Sequence, residues 1–287
     1  MIKELSILIP VFNRCCTQLV KALHEQLCQT DLSFEIIITD DGSTDRSYID
    51  DNKSLSLLTN VQYIIRKKNV GRAAIRNFLV QQANYPWLLF IDGDMLIKND
   101  HFIYRYLSTE DTSDVVYGGY ILLGEYPDNL RWRIEKKHQD KSTAVIRQKH
   151  PYQDFHTCNF LVKKDILRKI PFNEKIQQYG YEDVLWGKQL KEHHITLSHI
   201  DNPVCFDTFE DNETFINKTE EALHTLHNLR QQLKGYSSIL NYPYLHTLCK
   251  ISYKSLGKYL RNQLIDNKSS LFLFNIYKLL YYHHIDD

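Results

Sequence analysis

Net charge is the first thing this chain of 287 residues lacks, since 35 Lys and Arg offset 35 Asp and Glu. A balanced chain holds no reservoir of positive potential for a phosphate backbone, which argues against nucleic acid as a general partner. Basic residues segregate once, near the C-terminus. Cysteine is sparse and unpatterned: the residues at 15, 16, 28, 158, 205 and 249 include no C-x-x-C pair and no Cys/His cluster with zinc-finger spacing, so they read as free thiols. No stretch reaches the ~20 apolar residues of a membrane span. The opening residues, MIKELSILIPVFNR, run straight into a strand-like stretch without a secretory leader pattern. Free thiols and no leader make the cytoplasm the expected location. No G-x-G-x-x-G follows the first apolar run, which removes the dinucleotide oxidoreductases. Internal repeats and low-complexity segments are missing as well.

What is present is an alternation of strand-sized apolar runs with longer amphipathic stretches. The runs are Ser6–Val11, Phe34–Thr39, Val61–Ile65 and Trp87–Ile91. Segments such as Cys15–Thr30 and Val70–Asn84 between them are long enough for crossover helices. This pattern predicts an α/β fold with a Rossmann-like, mostly parallel central sheet flanked by helices. Ligands of such sheets bind beyond the carboxyl ends of the strands, where Asn13, Arg14, Asp40, Asp41, Asp92 and Asp94 stand. Between residues 101 and 210 the pattern loosens. Strands are expected at Val115–Leu123 and Cys158–Val162, with Glu135–Asp154 as a mobile loop. Beyond Asn212, Phe215, Leu223, Leu226, Leu229 and Leu233 recur at helical spacing. The expected organisation is a main domain over 1–210, with halves 1–100 and 101–210, and a C-terminal helical extension over 211–287.

The sharpest feature is FIDGDMLIKND, an apolar strand that ends in two carboxylates separated by one glycine. Residues i and i+2 of an extended segment share a side, so Asp92 and Asp94 can face one ligand, with Gly93 letting it approach the backbone. Two hard oxygen donors suit Mg²⁺ or Mn²⁺, ions that bridge proteins to diphosphates.

The succession SILIPVFNR, ITDDGSTD, NVGRAAIRN, LLFIDGDMLI and YGYEDVLWGKQL resembles the inverting family 2 glycosyltransferases, which have the GT-A fold. It runs from about residue 4 to residue 210, in family order. The resemblance implies sugar transfer from a nucleotide-sugar, a UDP-sugar by preference, to a hydroxyl of a glycan or lipid-linked oligosaccharide. The sugar would be a hexosyl or N-acetylhexosaminyl group. On the donor side it implies Pro10, Phe12 and Arg14 in the first nucleotide loop, Phe12 against the base, and Asp40 and Asp41 on uracil and ribose. The turn after them should end at Ser43 or Thr44 as cap of the next helix. Asn69, Gly71, Arg72 and Arg76 face the nucleotide in this reading; alternatively one arginine pairs structurally with Asp41 or Asp92. Asp92 and Gly93 approach the ribose, Asp94 and Asp92 the metal, and Asn159 a sugar hydroxyl.

An inverting transfer also needs a base for the acceptor hydroxyl, and the resemblance assigns it to Asp183, with Glu182 beside it on sugar hydroxyls. The chain departs from the pattern at Phe206, where many relatives carry a histidine metal ligand. Asp207 or His199 is then the expected substitute, or water.

The tail carries a basic stripe, Lys250, Lys254, Lys258 and Arg261, among Ile251, Leu256, Leu260 and Leu264. It reads either as a peripheral contact with the inner face of the cell membrane or as a helix packed on the domain with a solvated basic face. Rival functions are a catalytically weak sugar-nucleotide-binding protein and, ranked lower, a sugar nucleotidyltransferase, whose glycine-rich loop with a basic residue is missing from SILIPVFNR.

Overall fold

Four apolar runs dictate the first half of the molecule. A computed structural model describes residues 2–109, 113–139, 142–266 and 270–285. In it β1 (Glu4–Val11), α1 (Thr17–Cys28), β2 (Ser33–Asp40), α2 (Arg46–Lys53), β3 (Val61–Ile65), α3 (Arg72–Gln82) and β4 (Trp87–Ile91) follow in turn. Leu5, Ile7, Leu8 and Ile9 of β1 and Leu88, Leu89, Phe90 and Ile91 of β4 are fully buried, as expected of strands covered on both faces. Leu19, Val20, Leu23 and Leu27 make the apolar stripe of α1.

The chain continues through α4 (Phe102–Leu107), β5 (Val115–Tyr117), β6 (Tyr120–Leu122), α5 (Leu130–Gln139), α6 (Ala144–Arg147), β7 (Asn159–Lys163) and α7 (Lys164–Lys169). It ends with α8 (Glu182–Glu192), β8 (Leu197–His199), β9 (Val204–Phe206), α9 (Asn212–Asn228), α10 (His246–Ile265) and α11 (Leu271–His284). The main sheet has the order β3-β2-β1-β4-β7-β5-β8. β1 to β4 pair in parallel, while β7 runs antiparallel to both β4 and β5. This is the mostly parallel sheet expected. A second, two-stranded sheet joins β6 and β9.

The expected strand at 115–123 is broken in two, because Gly118 and Gly119 turn the chain between sheets. Gly119 has φ +86°, and a Cβ on Gly118 would lie 2.4 Å from Asn159 Nδ2. The stretch expected to be a mobile loop holds the second half of α5 and all of α6, with residues 140 and 141 outside the described set.

The chain divides into two compact units. The first comprises 1–123, 142–177 and 186–207; the second comprises 124–141, 178–185 and 208–287. In the second unit Leu130, Ile216, Cys249, Leu260, Leu264, Phe274, Tyr277 and Leu280 form a core of their own. Leu260 and Leu264 of the tail therefore face inward. Leu248, Ile251 and Tyr259 are exposed on α10, beside Lys254 and Lys258.

Candidate active site

At the carboxyl edge of the first unit's sheet, β2 ends in Asp40, which is completely buried. Its Oδ1 accepts the Ser43 N–H at 2.6 Å and its Oδ2 accepts the Tyr63 hydroxyl at 2.7 Å. Burial and the adjacent Asp40 both push the Tyr63 phenol above its ordinary pKa, so it stays a donor. Asp41 accepts the main-chain N–H of Val70 and of Gly71 at 3.1 to 3.2 Å. Burial raises its pKa, against the lowering by those N–H groups and by Arg66. Three of the four carboxylate oxygens thus shape the two loops that rim this edge, and the fourth ties β2 to β3.

Asn13 ties the first of these loops to β1. It adopts φ +48°, donates its N–H to Ser43 Oγ at 2.7 Å, and accepts the Thr44 N–H on Oδ1 at 2.8 Å. Ser43 and Thr44 are consequently occupied, and Asp45 caps α2 instead through the Ser47 N–H. Tyr63 is a site-building residue that sequence reasoning missed, while Asn13, placed at this edge by the sequence, was not given its loop-tying role. Asn tolerates left-handed backbone, which was the available signal for Asn13.

Three candidates stand open on the same edge: Phe12 is 44% exposed, and Arg72 and Asn69 are exposed. Pro10 and Arg14 are half-buried. Gly71 caps α3 at φ +90°, a conformation that favours glycine. Arg76 differs from Arg72. It is buried, and its Nη2 donates to Asp92 Oδ1 at 2.8 Å, so it orients a carboxylate instead of facing a nucleotide. The structural pairing held open above is the one found.

Gly93 also has a different reason from the one expected. A Cβ there would lie 2.7 Å from Val11 Cγ2 and 2.9 Å from the Pro10 carbonyl oxygen. The glycine lets the Asp92–Asp94 turn pack on β1; that space is not open to a ligand. Just beyond it, Leu96 and Cys205 form an isolated antiparallel bridge, with N–H···O distances of 2.8 and 2.7 Å. Asp94 lies two residues before Leu96 and Asp207 two after Cys205, so this bridge draws the two segments that carry them together.

His199, the other candidate for the third ligand, is excluded. Its Nδ1 accepts from Arg147 Nε at 3.2 Å, and Nε2 donates to the Pro151 carbonyl at 2.9 Å. Burial, helped by Arg147, pushes its pKa down to about 4. Both ring nitrogens are committed, leaving no lone pair for an ion. Among the described residues no three His, Cys, Asp or Glu side chains gather as a metal cage. Such a cage is not required beside a diphosphate, because Mg²⁺ is commonly held by one or two carboxylates plus phosphate and water. Asp94 and Asp207 fit that chemistry.

Asn159 is corrected outright. It is fully buried, donating Nδ2 to the carbonyls of Gly119 and Asn202 at 2.9 Å and accepting the Tyr106 hydroxyl at 2.7 Å. These bonds use both amide protons, so it braces the sheet and cannot donate to a sugar as placed.

In the second unit, Gly180 (φ +94°) and Tyr181 (φ +65°) form a tight turn into the first turn of α8. Glu182 is buried there and Asp183 half-buried, both favoured by the helix N-terminus. The turn is anchored from α9. Glu221 Oε1 accepts the Tyr179 N–H at 2.9 Å, and Thr225 donates to the Tyr179 carbonyl at 3.0 Å. A Cβ on Gly180 would lie 2.8 Å from the Ala222 Cβ. Nothing local in the sequence announces these α9 partners.

The family model for glycosyl transferase family 2 matches residues 6–171. An uncharacterized glycosyltransferase of Rickettsia felis is 38% identical over 100 residues, 34% of this chain and 16% of that protein, so the chain spans a small part of that relative. The crystal structure of S. aureus TarS 1-349 in complex with UDP-GlcNAc is similar with a TM-score of 0.57 at 16% identity, covering 97% of this chain and 89% of that one. A mannosyltransferase from Pyrobaculum calidifontis, in complex with GDP-Man and Mn²⁺, gives 0.55 at 14% identity over 95% and 77%. At these identities what is shared with the two structures is the fold.

Proposed function

The chain belongs to glycosyl transferase family 2, and from that premise we propose that it is a metal-dependent inverting transferase. It moves a hexosyl or N-acetylhexosaminyl group from a UDP-sugar to a hydroxyl of a glycan or lipid-linked acceptor. The observation that carries this reading is the Asp92–Gly93–Asp94 turn at the carboxyl end of β4, with Asp92 oriented by Arg76 and the Leu96–Cys205 bridge drawing the segments of Asp94 and Asp207 together.

In this reading Phe12 lies against the base, and Arg72 and Asn69 meet the ribose or diphosphate. Asp40 and Asp41 hold the loops that receive the nucleoside, and Asp92 contacts the ribose. Asp94 and Asp207 hold Mn²⁺ or Mg²⁺, which when bound supplies positive charge against the leaving diphosphate. Asp183 accepts the proton of the acceptor hydroxyl. The oxygen then bonds to the anomeric carbon on the face opposite UDP, the bond to the diphosphate breaks, and UDP leaves with that electron pair. Configuration inverts in this single displacement. Glu182 positions sugar hydroxyls. Membrane-peripheral work on the inner surface is part of the proposal, supported by the exposed Leu248, Ile251 and Tyr259 beside Lys254 and Lys258 on α10. Among the described residues no helix is long and apolar enough to cross a membrane.

The test is calorimetric titration of UDP with and without Mn²⁺, on the natural protein and on Asp94→Ala. Binding that needs Mn²⁺ and is lost in the variant supports the proposal; UDP that fails to bind under either condition overturns the donor assignment. UDP binding without sugar transfer to any offered acceptor would favour the sugar-nucleotide-binding alternative.

A further inference from the structure

The second unit contains a cavity of about 370 Å³ between α5 and α11, lined by none of the residues assigned above. Its polar rim is Lys137, His138, Asn275 and Lys278; its apolar floor is Ile134, Leu271 and Phe274. None of these seven residues is acidic. Among the described residues neither Lys137 nor Lys278 has a carboxylate within ion-pair distance. Lys278 instead rests on an aromatic face, its Nζ 4.7 Å from the centre of the Phe274 ring. Burial pushes its pKa below the ordinary lysine value. A desolvated ammonium without a counter-charge is costly. That cost is relieved by an anion entering the cavity.

We propose that the cavity between α5 and α11 binds a phosphate group carrying an apolar substituent. The two lysines match the double negative charge of a phosphate monoester, whereas a carboxylate would match one. His138 and Asn275 add N–H donors, and Ile134, Leu271 and Phe274 receive the apolar part. A space of this size would hold roughly a dozen waters at liquid density, ample for a phosphate with several methylenes. The site is independent of the nucleotide-sugar reading and stands whether or not that reading does. Its ligand has two possible sources, a soluble phosphoester and a lipid headgroup, which share this chemistry.

The experiment titrates the full-length protein with dodecyl phosphate, inorganic phosphate and dodecyl maltoside, and sediments it with vesicles of phosphatidylcholine with or without phosphatidic acid, the monoester lipid. Natural protein is compared with Lys278→Met and Lys137→Gln. Dodecyl phosphate is expected to bind with one site per chain, at least tenfold more weakly in Lys278→Met and about threefold more weakly in Lys137→Gln, while dodecyl maltoside does not bind. Lys278→Met removes a desolvated charge, so without ligand its melting temperature should equal or exceed that of the natural protein. Thus a loss of binding cannot be ascribed to unfolding. Sedimentation with phosphatidic acid vesicles that Lys278→Met abolishes identifies a lipid headgroup as the source; inorganic phosphate binding without such sedimentation identifies a soluble one. Equal affinity in natural protein and Lys278→Met, or no binding of dodecyl phosphate, overturns the proposal.

Discussion

Arg76 and Asp92 form a 2.8 Å ion pair in which the guanidinium side chain is 2% exposed and the carboxylate 20%. The arginine reaches it from α3, sixteen residues upstream. Such a pair fixes the direction of Asp92 at the end of β4 more than it adds net stability, because desolvation offsets much of the attraction. Removing one partner is a different matter, since it strands the other charge. Arg76→Met is therefore expected to lose about 3 kcal/mol in urea denaturation. Arg76→Lys, which keeps the charge but not the planar fork, should recover part of that and still weaken UDP binding.

Gly93 gives a test of why the turn between the two carboxylates contains glycine. If the reason is contact with Val11 and Pro10 at under 3 Å, then Gly93→Ala must push β1 or the turn aside. The expected cost is about 1–3 kcal/mol, as for overpacked cores, read from the denaturation midpoint. A variant as stable as the natural protein would return the glycine to the role of admitting ligand.

The neutral state of His199 makes stability depend on pH. Its folded pKa of about 4 lies below the ordinary 6.5, so between those values the unfolded chain binds the extra proton. The stabilisation is complete above pH 6.5 and disappears as the pH falls to about 4, a loss of about 3 kcal/mol. Asp41, whose carboxyl pKa is raised, acts with the opposite sign toward the acid end. Comparing melting temperatures of His199→Gln and natural protein from pH 7 to 4 cancels the Asp41 contribution. The variant should start less stable and decline less steeply.

Most of the first sheet was legible in the sequence, and most of the site's internal wiring was not. Runs such as SILIPV and WLLFI declare buried parallel strands because nothing polar interrupts them. By contrast α5, LRWRIEKKHQ, buries only Leu130 and is otherwise polar enough to read as a loop. Asp40, Asp41 and Asp92 were recognisable as carboxylates at strand ends, and the pairing of Asp92 with an arginine as one alternative. The partners of Asp40 and Asp41 were not, since Tyr63 and Val70 come from elsewhere in the chain. His199 was misread for the same reason: Arg147 and Pro151, around fifty residues upstream, take both its nitrogens.

Asp183 carries the proposed base function, and its contribution should be separable from folding. At the first turn of α8 a neutral amide keeps hydrogen-bonding ability but not proton affinity, so Asp183→Asn should fold normally. Turnover by UDP release is expected to fall by about 10²–10⁴, with UDP affinity nearly unchanged. A tenfold or smaller effect would assign proton removal to another group.

Asn159 offers the reverse pattern, a polar residue beside the proposed chemistry whose loss should be felt in stability. Its amide meets Gly119, Asn202 and Tyr106 inside the sheet with no exposed surface. Asn159→Leu removes the amide donor to the buried Asn202 carbonyl, a loss of about 1–3 kcal/mol, and leaves the Gly119 carbonyl and the Tyr106 hydroxyl with only the Val204 N–H and the residue 159 carbonyl. The variant should thus melt well below the natural protein, and any fraction that stays folded should keep its KM for the nucleotide-sugar. If Asn159 instead touches the donor, KM would rise in a variant of ordinary stability. The two outcomes separate a residue that braces the strand from one that reads the sugar, a distinction its position at the start of β7 cannot make alone.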